Sequence, residues 1–332
     1  MRIFFWLVSL IILISSCTPK PKEYIQVDGF AQGTTFSITY YDSLNRNFSA
    51  NFDSIFFVID NSMSVYNDSS IISKFNRNEI STIDSLLAEV FVISDSVYNE
   101  TQGAFDITVG PVIRAIGFGK DKVKGIDSAK VRSLLPLIGM YHLKLDGLTL
   151  IKYKQEVQID VNAIAQGYTV DVIANFLKSK GVRNFLVEVG GEICANGINS
   201  RGTSWVVGLD KPVENAIPGE DIQTKIPLTG GRGLATSGNY RKFIEVDGFK
   251  YSHTINPKTG FPELNSLLSA TVIAPTAARA DALATAFMVN GLKWSINFIN
   301  SNPHVEAYLI YSDNDGKYSV WVSKGLQTVD KQ

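Results

Sequence analysis

The 332-residue chain is 45% hydrophobic and 19% charged, the composition of a folded globular protein, which excludes a disordered or fibrous one. Its 31 Lys and Arg against 32 Asp and Glu leave no basic excess to neutralise a phosphate backbone, so nucleic-acid binding is set aside. Two cysteines are too few for a disulfide scaffold or a cysteine-rich zinc site.

In chain order, Arg2 precedes an apolar run from Ile3 to Ile14, shorter than the roughly 20 residues a membrane-spanning helix needs and suited to a signal-peptide core. Small residues then lead into a cysteine, Leu13-Ile14-Ser15-Ser16-Cys17, in the pattern of a bacterial lipobox. The expected organisation is a signal peptide over 1–16, a lipidated tether over 17–23 that contains Pro19 and Pro21, and a single folded domain over 24–332. This predicts export and lipid anchoring through Cys17 at a cell membrane, the periplasmic side of the inner membrane being favoured. The alternative is an ordinary cleaved signal with Cys17 incidental. With Cys17 acylated, Cys194 stands alone and reads as a buried apolar residue.

Phe36–Tyr40 alternates like a strand, and Ile83–Tyr98 carries a helical apolar stripe closed by Gly103. Asp127 is placed to cap a short helix that stops near Pro136. Leu143–Leu150 reads as a hairpin, with Asp146-Gly147 supplying the positive φ angles of a type I′ turn; Asp247-Gly248 and Asp315-Gly316 repeat the signal. Helices are expected from about Ala163 to Lys180, ended by Gly181, and from Ala277 to Asn290, ended by Gly291. Strands are expected near Phe185–Val189, Trp205–Leu209, Leu267–Ala274 and Val305–Tyr311, with His142 and His304 inside strand-like runs. Hairpins mixed with isolated helices predict an α+β domain on largely antiparallel sheets, not a doubly wound parallel sheet.

Four segments carry chemistry beyond packing. Gly103–Pro111 holds Asp106 between glycines, where it serves either a close-approaching ligand or a turn hydrogen bond. Ile159–Tyr168 passes from strand to helix with Asp160 and Asn162 at the entry, both able to cap. Tyr251–Gly260 is a structured turn holding His253, able to act as a base near neutral pH. On the helix Ala280–Thr285, Asp281 and Thr285 share a face, and two hard oxygens suit Mg²⁺; a threonine hydroxyl bonded back to its own helix is the alternative.

The order and wording of these segments resemble the ApbE-type FAD:protein FMN transferases, often lipid-anchored bacterial enzymes that attach FMN to threonines of other proteins. The resemblance runs from about Phe30 to Val322. It includes Gly33-Thr34-Thr35-Phe36, Met63–Asn67 with Ser73–Asn76, Gly103–Pro111 and Gly117-Phe118-Gly119. Ile159–Asp171, Val189–Ile193, Thr236–Arg241, His253–Gly260 and Ala280–Thr285 follow.

The resemblance implies a single α+β catalytic domain. It implies FAD contacts from Gln32, Gly33, Tyr66, Ala104, Phe105, Asp106, Asp160, Gln166 and the backbone near Ile255, with Tyr66 suited to stacking on the flavin. It implies Mg²⁺ on Asp281, Thr285 and a backbone oxygen of Ala163, and an acceptor protein with a Ser/Thr-Gly-Ala-Thr-like site, of the membrane redox-subunit kind. His253 is the candidate base. Two positions depart from the family pattern, Gln166 for a usual Lys and Asn256 for a usual Asp, and each removes a charge. Three readings follow: flavin transferase, Mg²⁺-dependent FAD pyrophosphatase giving FMN and AMP, and a non-catalytic flavin- or solute-binding lipoprotein.

Overall fold

The computed structural model describes residues 23–117, 127–211, 222–238, 243–246, 249–252, 254–263 and 265–327. Residues 1–17, with the signal and Cys17, lie outside the described residues, as do Phe118-Gly119, Asn239–Arg241, the Asp247-Gly248 turn and His253.

The chain opens with a hairpin of β1 (Ile25–Ala31) and β2 (Thr34–Tyr41), then three helices, α1 (Ser49–Met63), α2 (Ile71–Asn76) and α3 (Ser85–Glu100). Asp84 caps α3, its carboxylate accepting from the Leu87 N–H at 2.9 Å. Next come α4 (Gly110–Ile116), α5 (Ser128–Leu134) and a small hairpin of β3 (Leu143–Asp146) and β4 (Thr149–Lys152). Asp127 caps α5, accepting from the Ala129 and Lys130 N–H groups at 3.0 Å each. Helix α6 (Ala165–Ser179) leads into β5 (Asn184–Val189), β6 (Glu192–Asn196), the hairpin β7 (Trp205–Asp210) and β8 (Ile222–Leu228), and β9 (Gly233–Gly238). The chain continues with β10 (Phe243–Val246), β11 (Phe249–Ser252), β12 (Leu267–Ala274), α7 (Ala277–Ser301), β13 (Glu306–Ser312) and β14 (Tyr318–Val322).

Eight strands form one sheet in the order β1-β2-β5-β6-β9-β12-β13-β14, and every pairing in it is antiparallel. The α+β expectation therefore holds. Alternation decides which side chains meet which layer. Phe36, Ile38 and Tyr40 of β2 and Phe185, Val187 and Val189 of β5 point towards α1 and α6. On the central strands, Ala235, Val272 and Leu309 face α7, with α3 packed behind it, while Leu234, Ile273 and Ile310 meet the β7–β8 hairpin on the opposite face. Covered on both faces, β12 reads as a near-continuous apolar run rather than an alternating one. Among the described residues no helix is long and apolar enough to cross a membrane.

Local corrections follow from tertiary context. The β3–β4 hairpin pairs Asp146 with Thr149, so its loop is Gly147-Leu148. Only Gly147 takes a positive φ, +59°, which is the type II′ pattern and not the type I′ turn expected at Asp146-Gly147. Asp315-Gly316 lies in a longer loop closed by Asp313, whose carboxylate accepts from Asp315 and Lys317 N–H groups at 3.0 and 2.9 Å. Gly291 does not end α7. It breaks the helix at φ 75°, ψ 179°, and the helix resumes to Ser301 because Asn265 donates to the Met288 carbonyl at 2.8 Å and fills the break. His142 ends a 3₁₀ turn and contacts the Pro136 carbonyl at 3.0 Å, and His304 is in a turn; neither is in a strand. Cys194 is buried as expected, and burial pushes its thiol up to about 12.

Candidate active site

The starts of α6 and α7 meet. A Cβ at Gly167, in the first turn of α6, would lie 2.5 Å from the Ala277 carbonyl oxygen, and one at Gly233 would lie 2.1 Å from the Ala277 nitrogen. Only glycine permits this approach. The two helices then cap each other. Asp171 of α6 accepts from the Ala277 and Ala278 N–H groups at 2.9 and 2.8 Å, while Asp281 of α7 accepts from the Gly167 N–H at 3.3 Å. Asp160 and Asn162 therefore do not cap α6, as their position had allowed; Ile164 precedes the helix with no side-chain cap, and a carboxylate from another helix takes the role.

Burial pushes the Asp281 carboxyl up to about 7, with Asp171 adding repulsion, and burial pushes Asp171 up to about 6. Among the described residues no Lys or Arg forms an ion pair with Asp281. The Thr285 hydroxyl, one turn along α7, lies 3.5 Å from the Ser237 hydroxyl of β9, its one hydrogen-bond partner among the described residues. Ala163 lies just before α6, two residues ahead of its first helical turn. A buried carboxylate without a cationic partner among the described residues, beside a hydroxyl and next to two helix N-termini, is a donor set of hard oxygens that fits Mg²⁺. No cluster of three His, Cys, Asp or Glu side chains forms among the described residues, so a site here relies on one carboxylate and neutral oxygens.

Two tight turns border the helix starts. Gln32 and Gly33 join β1 to β2 with φ 51° and 73°, and Gly190 and Gly191 join β5 to β6 with φ 68° and 107°. Both are the two-residue, positive-φ connection that a strand's twist favours. The turns are tied together through the Gly190 N–H, which donates to the Thr35 carbonyl at 3.0 Å. Gln32 is fixed on α6, its amide donating to the Thr169 hydroxyl at 3.0 Å. Gln166 lies across the second turn, where a Cβ at Gly190 would be 2.8 Å from its amide nitrogen.

The segment Asp160–Ala165 runs from the helix starts to a second group of side chains. Asp160 accepts from the Asn162 N–H at 2.9 Å, and its own N–H donates to the Ile107 carbonyl at 2.7 Å. Burial raises the Asp160 carboxyl above its ordinary value, with the Asn162 N–H and the Arg114 charge pulling it back. Tyr66 is 56% exposed. Its phenol is raised first by burial and then by the Asp160 charge, with the Asn162 side chain pulling it back. Ala104, Phe105 and Asp106 are buried. Asp106 holds a turn, accepting from the Thr108 N–H at 2.8 Å and hydroxyl at 2.6 Å, and burial still pushes it up to about 6.

Ile255 packs on Val112 and Ile116 of α4, the helix that follows Asp106. The Asn256 amide serves its own turn, accepting from the Lys258 N–H at 2.9 Å and donating to Glu263 at 2.8 Å. An aspartate there would have no proton to give Glu263, so this departure from the family pattern is matched locally.

The structure therefore gathers Gln32, Gly33, Gln166, Asp281 and Thr285 around the helix starts, with Ala163 at the entry to α6. Tyr66, Asp160 and Asp106 gather on the adjoining loops, and Ile255 joins them through α4. Asp171, Gly167 and Gly190 lie inside segments that carry the resemblance, but no individual role was legible for them in the sequence. Their signal was present only as a carboxylate one turn after a helical glycine, and as a Gly-Gly pair between two alternating runs.

A profile of the ApbE family matches residues 32–309. A relative named FAD:protein FMN transferase from Vibrio cholerae is 32% identical over 94% of this chain and 95% of its own, and one of the same name from Haemophilus influenzae is 31% identical over 93% and 92%. The solved flavin transferase ApbE from Vibrio cholerae superposes with a TM-score of 0.83 at 30% identity, covering 93% of this chain and 99% of its own. The Pseudomonas stutzeri flavinyl transferase ApbE gives a TM-score of 0.81 at 28% identity, covering 93% and 97%. With its motifs in order from Gly33 to Thr285 and its sheet, helix starts and turns in place, the chain belongs to the ApbE family.

Proposed function

We propose that the protein is an Mg²⁺-dependent FAD:protein FMN transferase. Flavin transfer is the activity named for the relatives above, and the observation that carries it to this chain is the meeting of two helix starts over a buried, cation-seeking carboxylate. The Gly167, Ala277 and Ala278 N–H groups already serve Asp281 and Asp171, so the diphosphate of FAD would be met here through the metal and not through the helix N–H groups. Asp281, Thr285 and the Ala163 carbonyl would hold the metal. When bound, Mg²⁺ supplies neutralisation of the diphosphate and stabilisation of the departing phosphate oxygen.

The chain's own residues do the rest. Tyr66 offers an exposed aromatic face for the flavin, with Asp160 and the Ala104–Asp106 segment beside it. Gln32 and Gln166 border the turns with neutral amides. An acceptor threonine oxygen forms a bond to the FMN phosphorus while the anhydride bond to AMP breaks, and the hydroxyl proton passes to His253. The products are a phosphoester-linked flavin and AMP. The signal and Cys17 support an exported enzyme held at a membrane, where its acceptor would be a membrane redox subunit.

The test incubates purified protein with FAD, Mg²⁺ and an acceptor carrying a Ser/Thr-Gly-Ala-Thr-like site, then reads flavin fluorescence on the acceptor in a denaturing gel. Acceptor fluorescence with AMP release supports transfer. Free FMN without labelled acceptor points to a pyrophosphatase, and unchanged FAD points to binding alone. Turnover that persists in EDTA would remove the metal from the mechanism.

A further inference from the structure

We infer that Asn76 is the positioning residue of the flavin side of the site, clamping the loop of Tyr66 to the segment that carries Asp160. This rests on the reading of FAD as substrate.

Asn76 ends α2 and is buried. Its amide nitrogen donates to the Ile159 carbonyl at 2.8 Å, and its amide oxygen accepts from the Ile159 N–H at 2.8 Å. One side chain thus satisfies both backbone groups of Ile159, as a neighbouring strand would. Only an uncharged amide presents a donor and an acceptor in this way. The next residue is Asp160, whose N–H is bound to Ile107, so the clamp also sets Asp160 against the Asp106 segment.

At its other end α2 carries the Tyr66 loop. Ser70 caps the helix by accepting from the Ser73 N–H at 3.1 Å, and its hydroxyl donates to the Ser64 carbonyl at 2.7 Å. The loop from Ser64 to Ser70 is therefore tied to α2, and α2 is tied to Ile159. Six residues make too short a helix to hold itself in place, so its docking contacts decide where it lies. Asn76 makes the contact that faces the site. Lys152 donates to the Phe75 carbonyl at 2.9 Å, reaches the Asn76 backbone carbonyl at 3.5 Å but not its side chain, and lies 4.4 Å from the Phe75 ring centre. Lys152 holds the same helix without touching Ile159, which makes it the control.

The experiment compares full-length wild type, Asn76→Ala, Asn76→Asp and Lys152→Met by thermal melting, by FAD titration of intrinsic fluorescence, and by the Mg²⁺ concentration for half-maximal turnover. Asn76→Asp keeps the size and the acceptor but cannot donate to the Ile159 carbonyl. Both Asn76 variants are expected to weaken FAD binding about tenfold or more, the loss of a buried hydrogen-bonded pair, with Mg²⁺ dependence within twofold of wild type. Lys152→Met is expected to melt earlier with FAD affinity unchanged. FAD affinity unchanged in the Asn76 variants, or weakened equally by Lys152→Met, would overturn the inference. Failure of both Asn76 variants to fold would overturn it too, since Asn76 would then be a folding determinant. A wild type that binds no FAD would instead defeat the functional reading.

Discussion

The helix-start side and the loop side of the site hold their polar groups in opposite ways. At the helix starts, Asp171 and Asp281 are pressed between glycine-permitted backbones and accept from N–H groups; the Lys178 charge partly offsets Asp171, and no Lys or Arg among the described residues pairs with Asp281. On the loop side, Asp106 receives an N–H and a hydroxyl, and Asp160 receives an N–H and feels the Arg114 charge. In the proposed reading the first arrangement is the one that would take a metal. The second presents satisfied hydrogen-bonding groups beside an exposed aromatic ring. The difference teaches that one cleft can separate charge neutralisation from shape recognition, with the Asp160–Ala165 segment joining the two.

The sharpest way to break this comparison is Asp281→Asn, which keeps shape and one oxygen but removes the charge. The Mg²⁺ concentration for half-maximal turnover should rise by at least about tenfold, as expected for loss of a charged ligand, while Thr285→Ser should be mild. An unchanged Mg²⁺ titration would show that charge at the helix starts does not serve a metal. Gly167→Ala comes next, because its Cβ meets backbone 2.5 Å away and not a movable side chain. The helices must part, at a cost of about 1–3 kcal/mol. Thermal melting should fall and Mg²⁺ affinity should fall with it, whereas FAD affinity set by the loop side should change less.

Asp106→Asn tests the loop side through pH. Burial raises this carboxyl from 3.8 to about 6, so the folded state holds its proton more tightly than the unfolded state. The stability it contributes is present in acid and is lost as pH rises through that window. The wild-type melting temperature should therefore carry a downward component across that window which Asn removes. Identical pH profiles for the two proteins would show the carboxyl to be unperturbed. The smallest effect is expected away from both sides: Gly147→Ala, at φ +59°, should cost about 1 kcal/mol of stability and leave the FAD KM and Mg²⁺ titration unchanged.

Much of this was legible in the residues themselves. The alternation of Phe36–Tyr40, the run Leu267–Ala274 and the stripe over Ile83–Tyr98 each became the element they predict, because period and capping act within a few residues. Asp127 capped its helix for the same local reason. The Asp281 and Thr285 pairing was legible too, since helical spacing alone puts both on one face. What the tertiary structure decided were the choices that depend on a distant partner. A local Asp-Gly signal did not determine where the β3–β4 turn falls, because strand pairing set the register. Gly291 looked like a stop until Asn265 arrived from another loop to satisfy the broken turn. Asp160 and Asn162 looked like caps until Asp281 approached Gly167 from another helix, and Asn76, part of a resemblance segment with no role of its own, gained one only when Ile159 was placed against it. In each case one side chain can satisfy several backbone groups, and only the packed chain, which removes water as the alternative partner, selects which.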